Sequence, residues 1–243
     1  MAAFRFVNFL LVVAALALSA GAAYFFFGDP EGDRLEKKAA AYEKKIETVK
    51  AQARTKDAKA QYRLAKLYLN GEGRSKNLRL AHDWFRKAAE QGHVGAQYQL
   101  GRMSEAGEGV RQDYRRASEW YHLAAKLGNS RDAHFALGEL YFYGRGVSQD
   151  PGASIDWYRL AAEQGHPMAQ YILGTMYDDG WGVAQNSVEA YKLYKLAARK
   201  AEQIMAVDPR RDPNRALENL ILKMNSAQEV AGKTAVKKWK PRP

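Results

Sequence analysis

The segment Ala96-Gln97-Tyr98-Gln99-Leu100-Gly101 decides the fold, because its pattern occurs four times along the chain. The four copies start at Ala60, Ala96, Ala133 and Ala169, so that they are spaced by 36, 37 and 36 residues. A fixed period of this length is typical of stacked repeats, in which each unit buries its apolar face against its neighbours. The sequence therefore predicts an all-α solenoid built from helix-turn-helix repeats.

Each copy begins with a helix whose apolar residues form one stripe. In the first copy Ala60, Leu64, Leu67 and Tyr68 follow the i, i+4, i+7, i+8 spacing of an amphipathic helix. Three later copies carry a glycine inside this helix, where glycine costs about 1 kcal/mol relative to alanine. These glycines are Gly101, Gly138 and Gly174. The repeated cost predicts that a neighbouring helix crosses there too closely for a side chain.

A Gly-x-Gly turn joins this helix to a second one in every copy, because glycine permits the positive φ angles that end a helix and reverse the chain. The second helices are predicted to start after the N-capping residues Asn77, Asp113, Asp150 and Asn186. Asn186 and Glu189 also match the capping-box pattern. Three second helices are predicted to end at Gly92, Gly128 and Gly165. Each repeat is thus predicted to be a pair of helices.

Two further segments flank the repeats. Residues 29–57 are mostly Ala, Glu and Lys and predict a helical lead-in, although a solvated charged linker fits the same composition. Residues 202–243 predict C-terminal capping helices followed by a basic tail, with a capping box formed by Ser226 and Glu229. These helices are expected to cover the open end of the solenoid.

Residues 1–28 contain an uncharged apolar stretch from Phe6 to Phe27. As a transmembrane helix it would be about 33 Å long, which is enough to span the core of a bilayer. The second interpretation is a signal peptide cleaved at Ala20-Gly21-Ala22. We favour the uncleaved anchor, because cleavage there would leave three phenylalanines near the new N-terminus. Lysine and arginine are more numerous after the segment than before it, and a literal positive-inside count would place the following domain in the cytoplasm. We favour export, because a long domain that follows such a segment is usually translocated regardless of its charge.

The composition limits the possible chemistry. The chain has 243 residues and a net charge of +11, and it contains no cysteine, which excludes disulfides, thiolate metal sites and a cysteine nucleophile. Residues 58–198 carry 18 Lys and Arg against 15 Asp and Glu, whereas residues 199–243 carry 11 against 5. Nucleic acid is therefore not the predicted partner of the repeats. The basic tail leaves binding of an anionic membrane surface or nucleic acid open, beside a solvated helix end.

Candidate partner-binding residues lie opposite the apolar stripe of the first helices. A helical wheel places one aromatic and one variable residue of each copy there, namely Tyr62 and Lys66, Tyr98 and Arg102, Phe135 and Glu139, and Tyr171 and Thr175. Trp181, between the two glycines of the fourth turn, is a further candidate because exposed tryptophan anchors interfaces. Two alternatives stay open. For the aromatic column, the alternative is that its rings pack against the preceding unit. For Trp181, the alternative is that its ring folds back onto the C-terminal helices.

No motif in the sequence predicts a metal, a cofactor or a catalytic residue. The histidines His82, His93, His122, His134 and His166 lack paired ligand spacing, and no G-x-S-x-G element is present. His93 and His166 occupy the same position in two turns, which indicates a role in the turn.

The recurring Ala-Gln-Tyr-x-Leu-Gly-x-x-Tyr, Gly-x-Gly-Val, Asp, Trp-Tyr, Ala-Ala and Gly resemble the Sel1-like repeat family, a relative of TPR proteins. Four copies cover about 58–93, 94–129, 130–166 and 167–201. The resemblance implies a right-handed superhelix that acts as a non-catalytic protein-protein interaction scaffold or regulatory adaptor at the bacterial cell envelope. With the N-terminal segment, it implies an inner-membrane anchor and a periplasmic repeat domain, or a periplasmic protein after cleavage. The alternative is an envelope hydrolase or a small-ligand or glycan-binding protein with a site in the groove.

Overall fold

The computed structural model describes residues 30–71 and 75–242, and all regular structure in these ranges is helical. The helices are α1 (Pro30–Arg54), α2 (Ala58–Asn70), α3 (Leu78–Glu90), α4 (Val94–Ala106), α5 (Tyr114–Gly128), α6 (Arg131–Tyr143), α7 (Pro151–Glu163), α8 (Pro167–Asp179), α9 (Ser187–Ala197), α10 (Ala201–Val207), α11 (Pro213–Ile221) and α12 (Ser226–Lys238). Among these helices, none combines the length and the apolar character that a membrane span requires. The predicted anchor or signal peptide, Phe6 to Phe27, lies outside the described residues.

Four helix pairs, one for each repeat, follow one another along the chain. Helix α2 packs on α3, α4 on α5, α6 on α7 and α8 on α9, and each second helix also contacts the first helix of the next pair. One large aromatic ring of each second helix is buried at the centre of its pair, namely Phe85, Tyr121, Tyr158 and Tyr194. Buried alanines surround these rings. This nearest-neighbour packing is that of an α/α solenoid, as the repeat period predicts.

The predicted close crossing of helices is confirmed inside the pairs. A methyl group at Gly101 would lie 2.4 Å from the ring of Tyr121, and one at Gly138 would lie 2.7 Å from the ring of Tyr158. Both distances are shorter than any ordinary contact of a Cβ atom. The glycine of the first helix therefore makes the space that the aromatic ring of the second helix fills.

The Gly-x-Gly turn of the second repeat ends α4 and also lies close against the preceding repeat. Gly107 caps α4 in the left-handed conformation, with φ of 72°. The second glycine of that turn, Gly109, lies against the preceding repeat, where a methyl group would be 2.5 Å from the carbonyl oxygen of Leu78. A side chain at this position would separate the two repeats. Glycine is thus required in this turn for packing as well as for conformation.

The four predicted N-caps of the second helices are confirmed, because each side chain accepts a backbone N–H from the first turn of its helix. The predicted capping box of Asn186 and Glu189 is wrong. The N–H of Asn186 donates to the carbonyl oxygen of Tyr177 at 2.9 Å. The carboxylate of Glu189 pairs instead with Lys192.

The predicted helix ends are confirmed at two of three glycines. Gly92 and Gly165 follow their helices with φ of 82° and 81°. Helix α5, however, continues through Gly128 and is capped by Asn129, which has φ of 47°. This turn contains the extra residue between the second and third repeats, so the left-handed position moves one residue along the chain.

Helix α1 packs on the first repeat as if it were the second helix of a preceding pair. Ile46, Val49 and Ala53 are buried against α2. The side-chain amide of Gln61 donates to the carbonyl oxygen of Ala53 at 3.1 Å, just as that of Gln97 donates to Ala89 at 3.3 Å. The described part of the lead-in is therefore a packed end helix, and the alternative of a solvated linker is wrong for it.

The C-terminal helices cover α9 at the other end of the array. Helix α9 passes through a 3₁₀ turn, Ala198–Lys200, into α10, and α11 and α12 both pack on α9. Leu217 and Leu220 are buried in this contact. The last capping box is formed by Asn225 and Gln228, one residue earlier than the predicted pair of Ser226 and Glu229. The N–H of Asn225 donates to the side-chain oxygen of Gln228 at 2.9 Å.

The basic tail is docked on the repeats instead of extending from a solvated helix end. A methyl group at Gly165 would be 3.6 Å from the ring of Trp239. The N–H of Arg242 donates to the carbonyl oxygen of Glu163 at 2.9 Å, and its guanidinium contacts the Glu163 carboxylate at 2.6 Å. The last described residues therefore close over the end of α7.

Candidate functional site

The predicted aromatic column lies along the first helices, and each ring packs on the central aromatic ring of its own repeat. The centroids are 5.6 Å apart for Tyr62 and Phe85, 5.7 Å for Tyr98 and Tyr121, 5.8 Å for Phe135 and Tyr158, and 5.9 Å for Tyr171 and Tyr194. The expectation that these rings pack against the preceding unit is wrong, because the partner ring is on the second helix of the same pair. All four column residues are only partly buried. Their outer edges therefore contribute to the surface of the first helices.

Two of the column rings also contact the histidine that caps the first helix of the next repeat. His93 stacks on Tyr62 with centroids 4.4 Å apart, and His166 stacks on Phe135 at 4.3 Å. The Nδ1 atom of each histidine accepts the third backbone N–H of the helix that follows, at 3.2 Å. Burial lowers the pKa of His93 and lowers that of His166 to about 4. Both histidines therefore have the structural turn role that their position predicts.

The four variable residues beside the column divide into two kinds. Lys66 and Arg102 are exposed. Glu139 and Thr175 are partly buried, and they accept hydrogen bonds from the hydroxyls of Tyr158 at 2.6 Å and Tyr194 at 3.2 Å. Only the first two repeats thus present an exposed side chain at this position.

The bond to Glu139 helps to keep the hydroxyl of Tyr158 protonated. Burial, together with the nearby carboxylate, raises the pKa of Tyr158 above its usual range. In the second repeat the acceptor is an acid at a different position, because the Tyr121 hydroxyl donates to Glu105 at 2.7 Å. The position of Glu139 therefore does not have one fixed structural role, and the surface chemistry varies from repeat to repeat.

Trp181 lies at the mouth of an apolar groove in the third and fourth repeats. The residue is 43% exposed, and its ring packs on Phe142 of the preceding repeat, with centroids 5.1 Å apart. This contact places the ring against the third repeat and not against the C-terminal helices. The cavity beside it has a volume of about 540 Å³ and is lined by Phe142, Tyr171, Ile172, Thr175, Met176, Asp179, Gly180, Trp181 and Arg211. Three predicted site residues, Tyr171, Thr175 and Trp181, are thus brought together in one cavity.

Arg211 forms part of this cavity although no repeat pattern pointed to it. It lies in the loop between α10 and α11, where its guanidinium pairs with Asp208 at 3.4 Å and contacts the sulfur of Met168 at 3.4 Å. The sequence pattern could have singled out Phe142, since it is the one aromatic residue in a row that otherwise contains Leu69, Glu105 and Asp178. The groove therefore combines an aromatic wall with an acid and a guanidinium at its edge.

The groove has the chemistry of a docking surface for an apolar side chain. Exposed tryptophan beside a second aromatic ring is a common anchor in protein interfaces. Within residues 30–71 and 75–242, no group of three histidine, aspartate or glutamate side chains is arranged to hold a metal ion.

Comparison with known families agrees with the repeat geometry. The sequence model of the Sel1 repeat family matches residues 58–93, 94–129, 131–166 and 167–201, which together are more than half of the chain. The chain belongs to the Sel1 repeat family. Sel1 repeat proteins generally mediate protein-protein interactions.

Two solved structures of Sel1 repeat proteins are similar to this one. The protective antigen c5321 of uropathogenic Escherichia coli, which displays an SLR fold, is 43% identical over 64% of this chain, with a TM-score of 0.61. A Sel1 repeat protein from Oxalobacter formigenes is 32% identical over 67% of this chain and 69% of its own, with a TM-score of 0.57. The matched part covers 33% of the length of the E. coli protein. Among curated proteins, none matches this Sel1 repeat chain significantly.

Proposed function

We propose that this Sel1 repeat protein is a non-catalytic scaffold or regulatory adaptor that binds a protein partner along its first helices. The proposed surface contains Tyr62, Lys66, Tyr98, Arg102, Phe135, Glu139, Tyr171, Thr175 and Trp181. The observation that carries the proposal is the exposed ring of Trp181 packed on Phe142 at the mouth of an apolar cavity. The partner's anchor is an apolar side chain that enters this cavity.

Energetics favour Trp181 as the main anchor of this surface. Truncation of a tryptophan at the centre of an interface typically costs 2 kcal/mol or more, whereas exposed charges such as Lys66 and Arg102 contribute mainly to the rate and selectivity of association. The turn itself does not require tryptophan, because the equivalent residues are Glu72, Glu108 and Arg145. The side chain of Trp181 is therefore suited to recognition.

The proposal includes the cell envelope as the place of action. The support is the apolar stretch from Phe6 to Phe27, which has the length of a membrane anchor. We propose an inner-membrane anchor with a periplasmic repeat domain, and a right-handed superhelical sense for the repeats.

Co-purification tests the role of Trp181. The wild-type protein and Trp181→Glu would be isolated from the cells that naturally produce it, after mild crosslinking, and bound proteins would be quantified by mass spectrometry. Leu127→Glu is the matched control, because Leu127 is also exposed and lies on α5, outside the cavity. We expect one protein to be recovered at least about tenfold less with Trp181→Glu and equally with the control. Equal recovery of every bound protein with both variants would contradict the proposal.

A further inference from the structure

Two of the grooves between successive second helices, among the described residues, are equivalent by repeat symmetry. The tail groove, between α7 and α9, is the one that residues 238–242 enter. The open groove, between α3 and α5, lies two repeats earlier. Six lining positions of the two grooves correspond: Arg159 to Arg86, Tyr177 to Ser104, Asn186 to Asp113, Glu189 to Arg116, Lys192 to Glu119 and Leu193 to Trp120. The tail groove therefore shows how this surface can hold an extended segment.

In the tail groove the occupant is held by an aromatic ring and by polar contacts to the end of α7. The ring of Trp239 covers Gly165, and Arg242 contacts both the backbone and the carboxylate of Glu163. The backbone leaves α12 in an extended conformation at Trp239, with ψ of 133°. An aromatic residue followed by a charged residue three positions later is thus the pattern that this groove accepts.

The open groove is lined by equivalent positions but has no occupant from the described chain. Its cavity has a volume of about 650 Å³, with the partly buried ring of Trp120 in its wall. A methyl group at Gly92, the counterpart of Gly165, would meet no atom within 4 Å. The position that Trp239 covers in the tail groove is therefore uncovered here.

The charges of the open groove select a different occupant. Arg116 stands where the tail groove has Glu189, and Glu119 stands where it has Lys192. Arg111, in the turn before α5, stands where the fourth repeat has Ala184. With Arg86, three guanidinium groups line the cavity. Asp113 and Glu119 also line it, so the cavity carries one more guanidinium than carboxylates, whereas the tail groove, apart from the tail itself, carries two cations and two acids. The open groove therefore favours a segment with carboxylates over one as basic as this chain's own tail.

The acids already present leave these arginines able to bind a ligand. Arg116 lies 3.7 Å from Asp113 and Arg86 lies 3.9 Å from Glu90, and both arginine side chains are more than half exposed. Exposed pairs at such distances contribute little free energy. A carboxylate that brings good bidentate geometry would therefore replace them at small cost.

We propose that the open groove binds an extended acidic segment of a partner protein, with an aromatic side chain near Trp120 and carboxylates on the arginines. This surface shares no lining residue with the cavity beside Trp181. It is a second binding site, and its existence does not depend on the first.

Two labelled peptides test this proposal by fluorescence anisotropy at physiological ionic strength. The acidic probe has the sequence of residues 236–243 with every Lys and Arg replaced by Glu, and the basic probe has the natural sequence. The decisive variant is Arg116→Glu with Glu119→Lys, which installs the charges of the fourth repeat and leaves the net charge unchanged. We expect saturable binding of the acidic probe to the wild type, at least about tenfold weaker binding to the variant, and a gain of binding for the basic probe.

Controls keep the result decisive. Lys126→Glu with Glu202→Lys exchanges two exposed charges outside the groove and should change neither probe. Should the decisive variant fail to fold by circular dichroism, Arg111→Ala supplies the second test, with an expected loss of about threefold or more. The absence of saturable acidic-probe binding to the wild type would overturn the proposal, and so would equal binding to wild type and variants. Tighter, variant-sensitive binding of a single-stranded oligonucleotide would assign the groove to nucleic acid and would also overturn it.

Discussion

The imidazole of His166 stacks on the phenyl ring of Phe135, with centroids 4.3 Å and planes 13° apart, while its Nδ1 accepts the N–H of Ala169 at 3.2 Å. One side chain thus contacts the third repeat and caps the first helix of the fourth. The same arrangement joins His93 to Tyr62 and Ala96 between the first and second repeats. In the third repeat the cap is Ser130.

Acid should weaken the protein through His166. Its Nδ1 can accept a hydrogen bond only when the imidazole is neutral, and burial lowers its pKa from 6.5 to about 4 in the folded state. Because the folded pKa is below the unfolded one, this contribution to stability is complete above about pH 6.5 and is lost as the pH falls towards about 4. We expect the free energy of unfolding, measured in urea, to fall by roughly 1 to 2 kcal/mol between about pH 7 and about pH 5 from this residue.

His166→Ser is the matched variant for that measurement, because Ser130 is a natural cap at the equivalent position and does not titrate. The variant should lose stability at neutral pH, since the contact with Phe135 is removed, but it should show a shallower decline in acid. Identical pH profiles for the two proteins would contradict the role assigned to His166.

Gly138→Ala should destabilise the third repeat. The new methyl group would be 2.7 Å from the ring of Tyr158, whose hydroxyl is held by Glu139 at 2.6 Å. Overpacking of this kind costs about 1 to 3 kcal/mol, which chemical denaturation can measure. The double variant with Tyr158→Phe should recover part of the loss, because the first repeat combines Ala65 with Phe85 at these positions. A neutral effect of Gly138→Ala would contradict the close crossing of α6 and α7.

Ile46→Ala should loosen the first repeat. Ile46 is 2% exposed in the contact between α1 and α2, and such a truncation costs about 2 to 4 kcal/mol. Because contacts in a solenoid are local, hydrogen exchange should become faster in α1 and α2 and stay unchanged in α8 and α9. Lys44→Ala, on an exposed part of the same helix, is the control. Unchanged exchange in α2 of the Ile46 variant would mean that α1 does not cap the array.

Trp239→Ala should weaken the docked tail more than Arg242→Ala does. The side chain of Trp239 is partly buried over Gly165, whereas that of Arg242 is 70% exposed in its pair with Glu163. An exposed ion pair is worth less than about 1 kcal/mol, and a partly buried tryptophan contributes more. Thermal unfolding should therefore show the larger shift for the tryptophan variant, with added salt affecting only the arginine contact. The reverse order would contradict this account of the tail.

The sequence predicts the helix pairs well because local chemistry repeats in register. Asp113 and Asp150 each precede an apolar stripe, and both are N-caps, as the pattern predicts. The recurring glycine at Gly101 likewise predicts a crossing helix, although it does not identify the ring of Tyr121 as the contact. These features depend on residues that are close in sequence or on a period that recurs. Pattern and structure therefore agree on them.

Contacts between segments that are distant along the chain could not be predicted from the sequence. Nothing in the repeat pattern placed Arg211 beside Trp181 or Arg242 on Glu163, since both arginines lie after the last repeat. The direction in which the aromatic column packs also depended on helix rotation, which sequence spacing does not determine. The cavity beside Trp181 is thus visible only when the third and fourth repeats and the C-terminal loop are assembled.

Photocrosslinking in intact cells that naturally produce the protein tests the central claim most directly. A photoreactive amino acid would replace Arg102 or Asp179, which are exposed along the first helices, and Lys126 on α5 as the control. A protein-binding surface on the first helices predicts a discrete adduct with the same partner from Arg102 and Asp179, identified by mass spectrometry, and none from Lys126. No adduct from either position, or equal adducts from all three, would contradict it.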